Sequence, residues 1–152
     1  MMYQTTLYNA FSGISPPDQS NIIRFLLEHS ENDQRKSIEE AMEYALKNKP
    51  SFGGFVLTAQ LDQTIVATIV ANRTGMAAYS PGLLFAYAAI APSLMAQKQL
   101  VEDFIRKAIN LSDGEIAMHL KPSNPILSLF QQFGFASEYL ELRLSKNASA
   151  AV

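Results

Sequence analysis

Few side chains in this sequence are suited to proton transfer or covalent catalysis near neutral pH. There are two histidines, His29 and His119, and no cysteine. Without cysteine the chain has no disulfide, no thiolate metal ligand and no thiol nucleophile. The histidines are about 90 positions apart, which is not a ligand spacing that zinc sites use. No Ser-His-Asp signature, Walker loop or dinucleotide-binding glycine fingerprint is present. We therefore expect no metal site and chemistry that depends on few side chains.

The two histidines have different sequence contexts. His119 lies in a short run, residues 115–120, with the composition of a β-strand. An imidazole there could accept a proton, because histidine titrates near neutral pH; a packed or edge histidine is the alternative. His29 ends a helical pattern, where it complements the negative end of the helix dipole.

Residues 83–109 are the stretch around which the other elements are arranged. They predict a buried strand, a corner at Pro92-Ser93 and one long amphipathic helix. A strand that leads directly into a helix aims the first backbone N–H groups of that helix at whatever lies beyond the strand. Such a helix start is a potential anion site, and a plain packing unit is the alternative.

The composition indicates one globular domain. The 152 residues are 48% apolar and 17% charged, and the net charge is −2 with a pI of about 5.6. This balance lacks the basic surface of a nucleic-acid-binding protein. The N-terminus lacks the features of a signal peptide, and the longest apolar run is too short to cross a bilayer. We expect a soluble, cytoplasmic protein, with one domain over residues 1–145 and a flexible tail over 146–152.

The remaining elements follow from periodicity and turn residues. Ser15 starts a helix, Ser37-Ile38-Glu39-Glu40 fits a capping box, and Asp62-Gln63 joins a hairpin. The predicted strands are residues 3–11, 55–61, 64–71, 83–91, 115–120 and 139–144, and the other helices are residues 17–29, 37–47 and 124–133. The order β-α-α-β-β-β-α-β-α-β predicts an α/β fold with a mixed sheet and helices on both faces.

This order, together with three segments, resembles the GNAT superfamily of acetyl-CoA-dependent N-acyltransferases over nearly the whole chain. Residues 124–135, NPILSLFQQFGF, resemble the late helix of the family, which carries an asparagine and ends in Gly-Phe. Residues 116–121 match the strand that precedes that helix, and residues 83–92 match the central strand and its proline corner. The resemblance implies a partly splayed sheet, acetyl-CoA as co-substrate and an amine as acceptor.

The resemblance also implies which residues contact acetyl-CoA. In the family, glycines after the proline corner let backbone N–H groups close around the pyrophosphate, whereas the corresponding residues 95–100 here contain no glycine. Phe130 stands where many members have a tyrosine that protonates the leaving thiolate, and phenylalanine has no proton to donate. The implied CoA contacts are Ala88, Ala89, Ile90, Met95, Ala96, Gln97, Lys98, Gln99, Leu100, Phe130 and, at the family's asparagine position, Ser123 or Asn124.

For the chemistry, the resemblance implies that backbone N–H groups of residues 88–90 polarise the thioester carbonyl. His119, on the neighbouring strand, is a candidate base, and Glu40, Glu43 and Tyr44 on the second helix could also contribute. Tyr79 and Tyr87 flank the expected acceptor cleft, Tyr79 as a pocket residue and Tyr87 with core packing as its alternative role.

Three hypotheses follow. The first is an N-acetyltransferase that transfers the acetyl group of acetyl-CoA directly to an amine of an unidentified acceptor. The second, based on the missing glycines and on Phe130, is a weak or inactive protein of this fold that binds a CoA-like ligand or a protein partner. The third is a homodimer whose exposed strand edges pair across a two-fold axis. None of the three involves nucleic acid or a membrane.

Overall fold

A five-stranded mixed sheet forms the centre of the computed structural model, which describes residues 2–31, 34–76, 78 and 81–146. The strands lie in chain order, the first four antiparallel and the last parallel to its neighbour. They are β1 (Tyr3–Tyr8), β2 (Gly54–Leu61), β3 (Thr64–Arg73), β4 (Leu83–Ile90) and β5 (Ile116–Met118). The helices are α1 (Pro16–His29), α2 (Arg35–Ala45), α3 (Pro92–Met95), α4 (Lys98–Asn110) and α5 (Leu127–Gln132).

Helices cover both faces of the sheet, as the sequence predicts. Side chains alternate between the two faces along a strand, and β1 shows this directly. The Tyr8 hydroxyl donates to Asp18 of α1, while the Tyr3 hydroxyl donates to Asp103 of α4. The centres of β2 and β3 are buried on consecutive residues, because both faces are covered. Their apolar runs are therefore nearly continuous.

The predicted hairpin is confirmed, with Asp62 and Gln63 as its two turn residues. Both have positive φ, 50° and 70°, which is the conformation of a type I′ turn and is usually met by glycine. The backbone of Met2 stabilises this turn. The N–H of Asp62 donates to the Met2 carbonyl, and the N–H of Met2 donates to the Asp62 carboxylate, both over 2.8 Å.

Two helix predictions need correction. The long helix after the proline corner is interrupted, because Gln97 (φ −106°, ψ 81°) leaves the helical region between α3 and α4. The capping box at Ser37 is not formed. Helix α2 begins at Arg35, and the N–H of Ser37 already donates to the carbonyl of Gln34, so Ser37 lies inside the first turn. The Ser15 cap is present, with its side chain accepting from the N–H of Asp18.

The last predicted strand is also absent. Residues 139–144 form no strand, and Leu140 and Leu142 are each 92% exposed. Their alternation is that of a strand, but an extended segment needs a neighbouring strand to satisfy its backbone groups, and no described strand pairs with it. Among the described residues, no helix is long and apolar enough to span a membrane.

The contact between β1 and α4 leads to a prediction about alkaline stability. The Tyr3 hydroxyl donates to Asp103 over 2.7 Å, and Lys107 lies 3.2 Å from the same carboxylate. Burial, then the hydrogen bond to Asp103 and its negative charge, raises the pKa of Tyr3. Burial also pushes up the pKa of Asp103, but hydrogen bonds from Tyr3 and Lys107 and nearby positive charges outweigh it and lower that pKa.

We expect Tyr3→Phe to lower the free energy of unfolding by about 1 kcal/mol at neutral pH, because one hydrogen bond to a partly exposed carboxylate is lost. A raised tyrosine pKa stabilises the fold fully below the unfolded value and loses this effect as pH rises through the folded value. The difference between wild type and variant should therefore shrink above about pH 10. Urea denaturation at several pH values measures it. Tyr8→Phe removes a longer hydrogen bond, of 3.3 Å, and should lower the free energy of unfolding by less. Equal decreases for the two variants would contradict the role assigned to the Tyr3–Asp103 hydrogen bond.

Candidate active site

The sheet opens between β4 and β5. These strands pair at only three positions, from Leu83 opposite Ile116 to Phe85 opposite Met118, after which β5 ends and β4 continues to Ile90. Residues 88–90 therefore pair with β3 on one edge. The edge that faces away from β3 has no described pairing with β5, whose last paired residue is Met118. A bulge in β4 also interrupts the register with β3, since Val70 faces Tyr87 while Ala71 faces Phe85. The partial splay expected from the sequence is thus observed.

A cavity of about 250 Å³ lies at the carboxyl end of β4. In open α/β sheets this end is where ligands usually bind. Three segments line the cavity: the end of α1 and the residues after it, the end of β4, and the loop before α5. The lining residues are His29, Ser30, Glu31, Ala89, Ile90, Lys121, Ser123, Asn124, Pro125 and Ile126.

Glu31 joins two of these segments across the cavity. Its Oε1 atom accepts from the backbone N–H of Lys121 over 2.8 Å and from Nδ2 of Asn124 over 2.6 Å. Asn124 is itself oriented, because its Oδ1 atom accepts from the N–H of Ile126 over 3.0 Å. A carboxylate in this position can attract a cationic group, while its two hydrogen bonds connect the end of α1 to the loop before α5.

His29 is the imidazole at this cavity. Its ring lies 4.6 Å from the ring of Phe25, and its Nε2 atom is 3.8 Å from a carboxylate oxygen of Glu28. The side chain is 25% exposed, so it is partly desolvated but still accessible. Chemically, a histidine here can accept a proton from a group bound in the cavity.

The start of α4 lies a few residues along the chain from the end of β4. The first N–H groups of a helix have no partner within the helix, and no side chain caps this one. Lys98 is exposed and Leu100 is half-buried. Backbone N–H groups at such a position can bind an anion.

The structure brings together some of the residues expected from the sequence and separates others. Ala89, Ile90, Ser123 and Asn124 line the cavity, and Ala88 precedes them on β4. Met95 ends α3, Ala96 and Gln97 form the break, and Lys98, Gln99 and Leu100 form the first turn of α4.

The other expected residues lie away from the cavity lining. Phe130 is 1% exposed and packs with Phe135 and Phe85, at ring distances of 5.4 and 6.5 Å. His119 follows β5, is 67% exposed and lies 3.3 Å from Glu141. Tyr87 is half-buried in β4 opposite Val70. Tyr79 lies outside the described residues.

Sequence reasoning missed Glu31 as a cavity residue and assigned His29 only to its helix. The local pattern around Glu31, a polar stretch after a helix, is that of an ordinary loop. Its partners are 90 and 93 positions away, and no spacing rule connects residues at that separation.

A larger cavity, of about 400 Å³, lies at the opposite end of β4. Its lining includes Leu83, the first residue of that strand, together with Phe52, Arg73 and Asp113. The possible anion site at the start of α4 follows the carboxyl end of β4 in the chain, whereas the larger cavity lies at the first residue of β4. The smaller cavity is therefore the better candidate for chemistry.

The same fold occurs in solved structures of acetyltransferases. The aminoglycoside N-acetyltransferase AAC(6')-Iy in complex with CoA has a TM-score of 0.61 at 15% identity, with 96% of this chain and 97% of that chain covered. A ribosomal-protein-alanine N-acetyltransferase from Brucella melitensis biovar Abortus 2308 has a TM-score of 0.58 at 12% identity, covering 95% and 99%. A GNAT family acetyltransferase from Streptococcus pneumoniae TIGR4 has a TM-score of 0.66 at 10% identity, covering 95% and 99%. No protein-family model and no curated protein matches the chain.

Proposed function

Because this chain has the GNAT acetyltransferase fold, we propose that it is an N-acetyltransferase that transfers the acetyl group of acetyl-CoA directly to an amine. The observation that supports this most is the opening between β4 and β5. It leaves one edge of residues 88–90 beyond the paired region, next to the 250 Å³ cavity and at the end of β4 from which α4 follows. The end of β4 thus combines an open backbone edge with a cavity, and α4 follows along the chain after the short helix α3.

In this proposal, acetyl-CoA lies along the opening between the strands. Its pyrophosphate binds at residues 95–100, where the backbone N–H groups at the start of α4 meet the negative charge. Its thioester lies beside residues 88–90, where the backbone N–H groups of Ala88 and Ile90, which alternate with those directed to β3, polarise the carbonyl oxygen. Fixed backbone donors stabilise the charge that develops on that oxygen and require no particular side chain.

The acceptor amine enters from the side of the cavity formed by His29 and Glu31. The amine nitrogen attacks the thioester carbon, forming the C–N bond, and His29 accepts the proton that the nitrogen loses. When the intermediate collapses, the C–S bond breaks and CoA leaves as a thiolate. Phe130 cannot protonate it, but a thiol with a reference pKa of about 8.5 is a tolerable leaving group without that help.

Glu31 supplies recognition of the acceptor. Most aliphatic amines are cationic in water, and a carboxylate at the cavity attracts them. The bound ammonium then releases one proton to solvent to become the neutral nucleophile, and His29 accepts the second proton after attack. The identity of the acceptor does not follow from the fold. The similar structures named above already include an aminoglycoside acetyltransferase and a ribosomal-protein-alanine acetyltransferase.

A second candidate function is supported by the position of Phe130. Its ring is buried among Phe85 and Phe135, so that position offers the cavity no proton donor. With the glycine-free start of α4, this favours a protein that binds a CoA-like ligand but transfers its acetyl group slowly or not at all. The two candidates share the ligand and differ in turnover.

Isothermal titration with acetyl-CoA tests the shared step. We expect micromolar binding, with desulfo-CoA similar and adenosine 3′,5′-bisphosphate at least about tenfold weaker, since that fragment lacks the pyrophosphate and its charge-assisted hydrogen bonds. The double variant Lys98→Gly/Leu100→Gly should bind acetyl-CoA more tightly, because glycine permits a closer backbone approach. Arg35→Gly, at the first residue of α2, is the matched control and should bind like wild type.

Turnover is measured with an amine library and a thiol reagent. The chain contains no cysteine, so every thiol detected comes from CoA. Release of CoA with acetylation of an amine supports the enzyme, and binding without release supports the second candidate. Absence of acetyl-CoA binding would contradict both.

A further inference from the structure

Residues 139–144 have the alternating sequence pattern of a strand, but their apolar side chains are exposed to solvent. Tyr139, Leu140 and Leu142 are 91%, 92% and 92% exposed, and Leu144 is 77% exposed. In an extended segment the three leucines share one face, and Tyr139, Glu141 and Arg143 share the other. The alternation predicts a half-buried strand, yet this segment forms no strand in the single chain.

A row of three leucines so exposed is unusual on a soluble protein. Single exposed apolar residues need no explanation, but a contiguous apolar row marks an interaction surface. The backbone leads to the same conclusion, because an extended segment has N–H and C=O groups that a neighbouring strand would satisfy. The occupant of this surface should therefore be another strand with an apolar face.

We propose that residues 139–144 form a two-stranded antiparallel ribbon with the same residues of a second copy of this chain. In the proposed register, Leu142 lies opposite Leu142 of the partner subunit. Leu140 then lies opposite Leu144 of the partner subunit, so one face of the ribbon is a ladder of six leucines. Such a two-fold, self-complementary contact is the usual form of a homodimer interface.

The charges select this register. With Leu142 at the two-fold axis, Glu141 lies opposite Arg143 of the partner subunit, and Arg143 lies opposite Glu141 of the partner subunit. Moving the axis to residue 141 places glutamate against glutamate and Leu144 opposite Glu138 of the partner subunit. Moving it to residue 143 places arginine against arginine and Leu140 opposite Lys146 of the partner subunit. Moving it to a position between residues places leucine opposite a charged residue. A parallel, in-register pair also puts like charges together.

The contacts within one chain are compatible with this ribbon. Glu141 lies 2.6 Å from Arg143 and 3.3 Å from His119, which directly follows β5. The segment therefore runs close to the end of β5. Despite this proximity it forms no described pairing with β5, and its leucines stay exposed. Dimerisation would cover this face.

The absence of cysteine allows a direct test of the register. In the variant Leu142→Cys, the two sulfur-bearing residues face each other across the axis, at a Cα separation of about 5 Å that suits a disulfide. In Leu144→Cys the same pair is offset by four residues, about 13 Å along the strands. We expect mild oxidation to produce a covalent dimer of the first variant and not of the second.

Sedimentation velocity tests the energetics without a cross-link. Wild type should show a mass that increases from monomer to dimer with concentration. Glu141→Arg and Arg143→Glu should each raise the dissociation constant about tenfold or more, because two attractive pairs become repulsive. The double variant Glu141→Arg/Arg143→Glu should restore it. Circular dichroism of each variant checks that the exposed substitutions leave the fold intact.

Each alternative result would overturn the proposal. A wild type that remains monomeric at all concentrations excludes the ribbon. Equal cross-linking of the two cysteine variants excludes this register. A dimer that is insensitive to both charge reversals, or a double variant as weak as the single ones, places the interface elsewhere on the protein.

Discussion

Replacing His29 by glutamine is expected to lower kcat for amine acetylation by about 10²–10⁴, the usual effect of removing a general base. Glutamine keeps a polar side chain of similar reach but cannot accept the proton of the attacking amine at neutral pH. Acetyl-CoA affinity should remain near the wild-type value, because the proposed pyrophosphate contacts are at residues 95–100.

His119→Gln is the decisive comparison for this experiment. Both variants change one histidine to the same residue, but only His29 lines the cavity, and His119 is 67% exposed beside Glu141. We expect His119→Gln to retain a rate close to wild type. The opposite pattern, with loss of rate at position 119 alone, would assign the base to the histidine expected from the sequence and would remove this cavity from the mechanism.

Gly54→Ala is expected to destabilise the fold by more than about 3 kcal/mol, or to prevent folding. Gly54 is the first residue of β2 and pairs with Asn72 of β3. A Cβ atom added to it would lie 1.8 Å from the carbonyl oxygen of Ala71 and 2.8 Å from the carbon of the same carbonyl. Both contacts are with backbone, so no side-chain rotation can relieve them, and the two central strands would have to separate. Thermal unfolding should show a drop in Tm of about 10 °C.

Gly114→Ala separates this steric effect from the general cost of replacing glycine. Gly114 has a φ of 72° and no atom within 4 Å of an added Cβ. Alanine there should cost only about 1–2 kcal/mol, the price of a left-handed conformation for a residue with a Cβ. If Gly54→Ala and Gly114→Ala lower the free energy of unfolding by similar amounts, the backbone of β2 does not lie as close to Ala71 as the structure shows.

The sequence predicts the order of the main elements because each element has a local cause. Ser15 accepts from the N–H of Asp18 at the start of α1, and Gly134 (φ 103°) follows the end of α5. The hairpin at Asp62-Gln63 forms without glycine, because the strands on both sides are rich in β-branched residues and Met2 stabilises the turn. In these cases the relevant interactions lie within a few residues or recur at a regular period.

The errors arise where the deciding interaction is not local. Nothing in the composition of Ala96-Gln97 indicates a break between α3 and α4, since neither residue is glycine or proline. The alternation at residues 139–144 predicts a strand with an apolar and a polar face, but alternation does not say which strand lies alongside, and no described strand pairs with this segment. His29 and Glu31 come to the cavity because α1 packs against β3 and β4, a tertiary arrangement that no helical period specifies.

The bridge from Glu31 to Lys121 and Asn124 has a consequence for how acceptor affinity could evolve in this protein. In the free protein the carboxylate is engaged by a backbone N–H and an amide, and under the proposed chemistry an incoming ammonium must compete with both. The free energy that keeps the loop in place is therefore subtracted from the free energy of acceptor binding. Selection for higher affinity towards the acceptor amine therefore does not require a new contact between protein and substrate. A weaker donor at position 124 would release the carboxylate for the substrate, at the expense of an ordered loop.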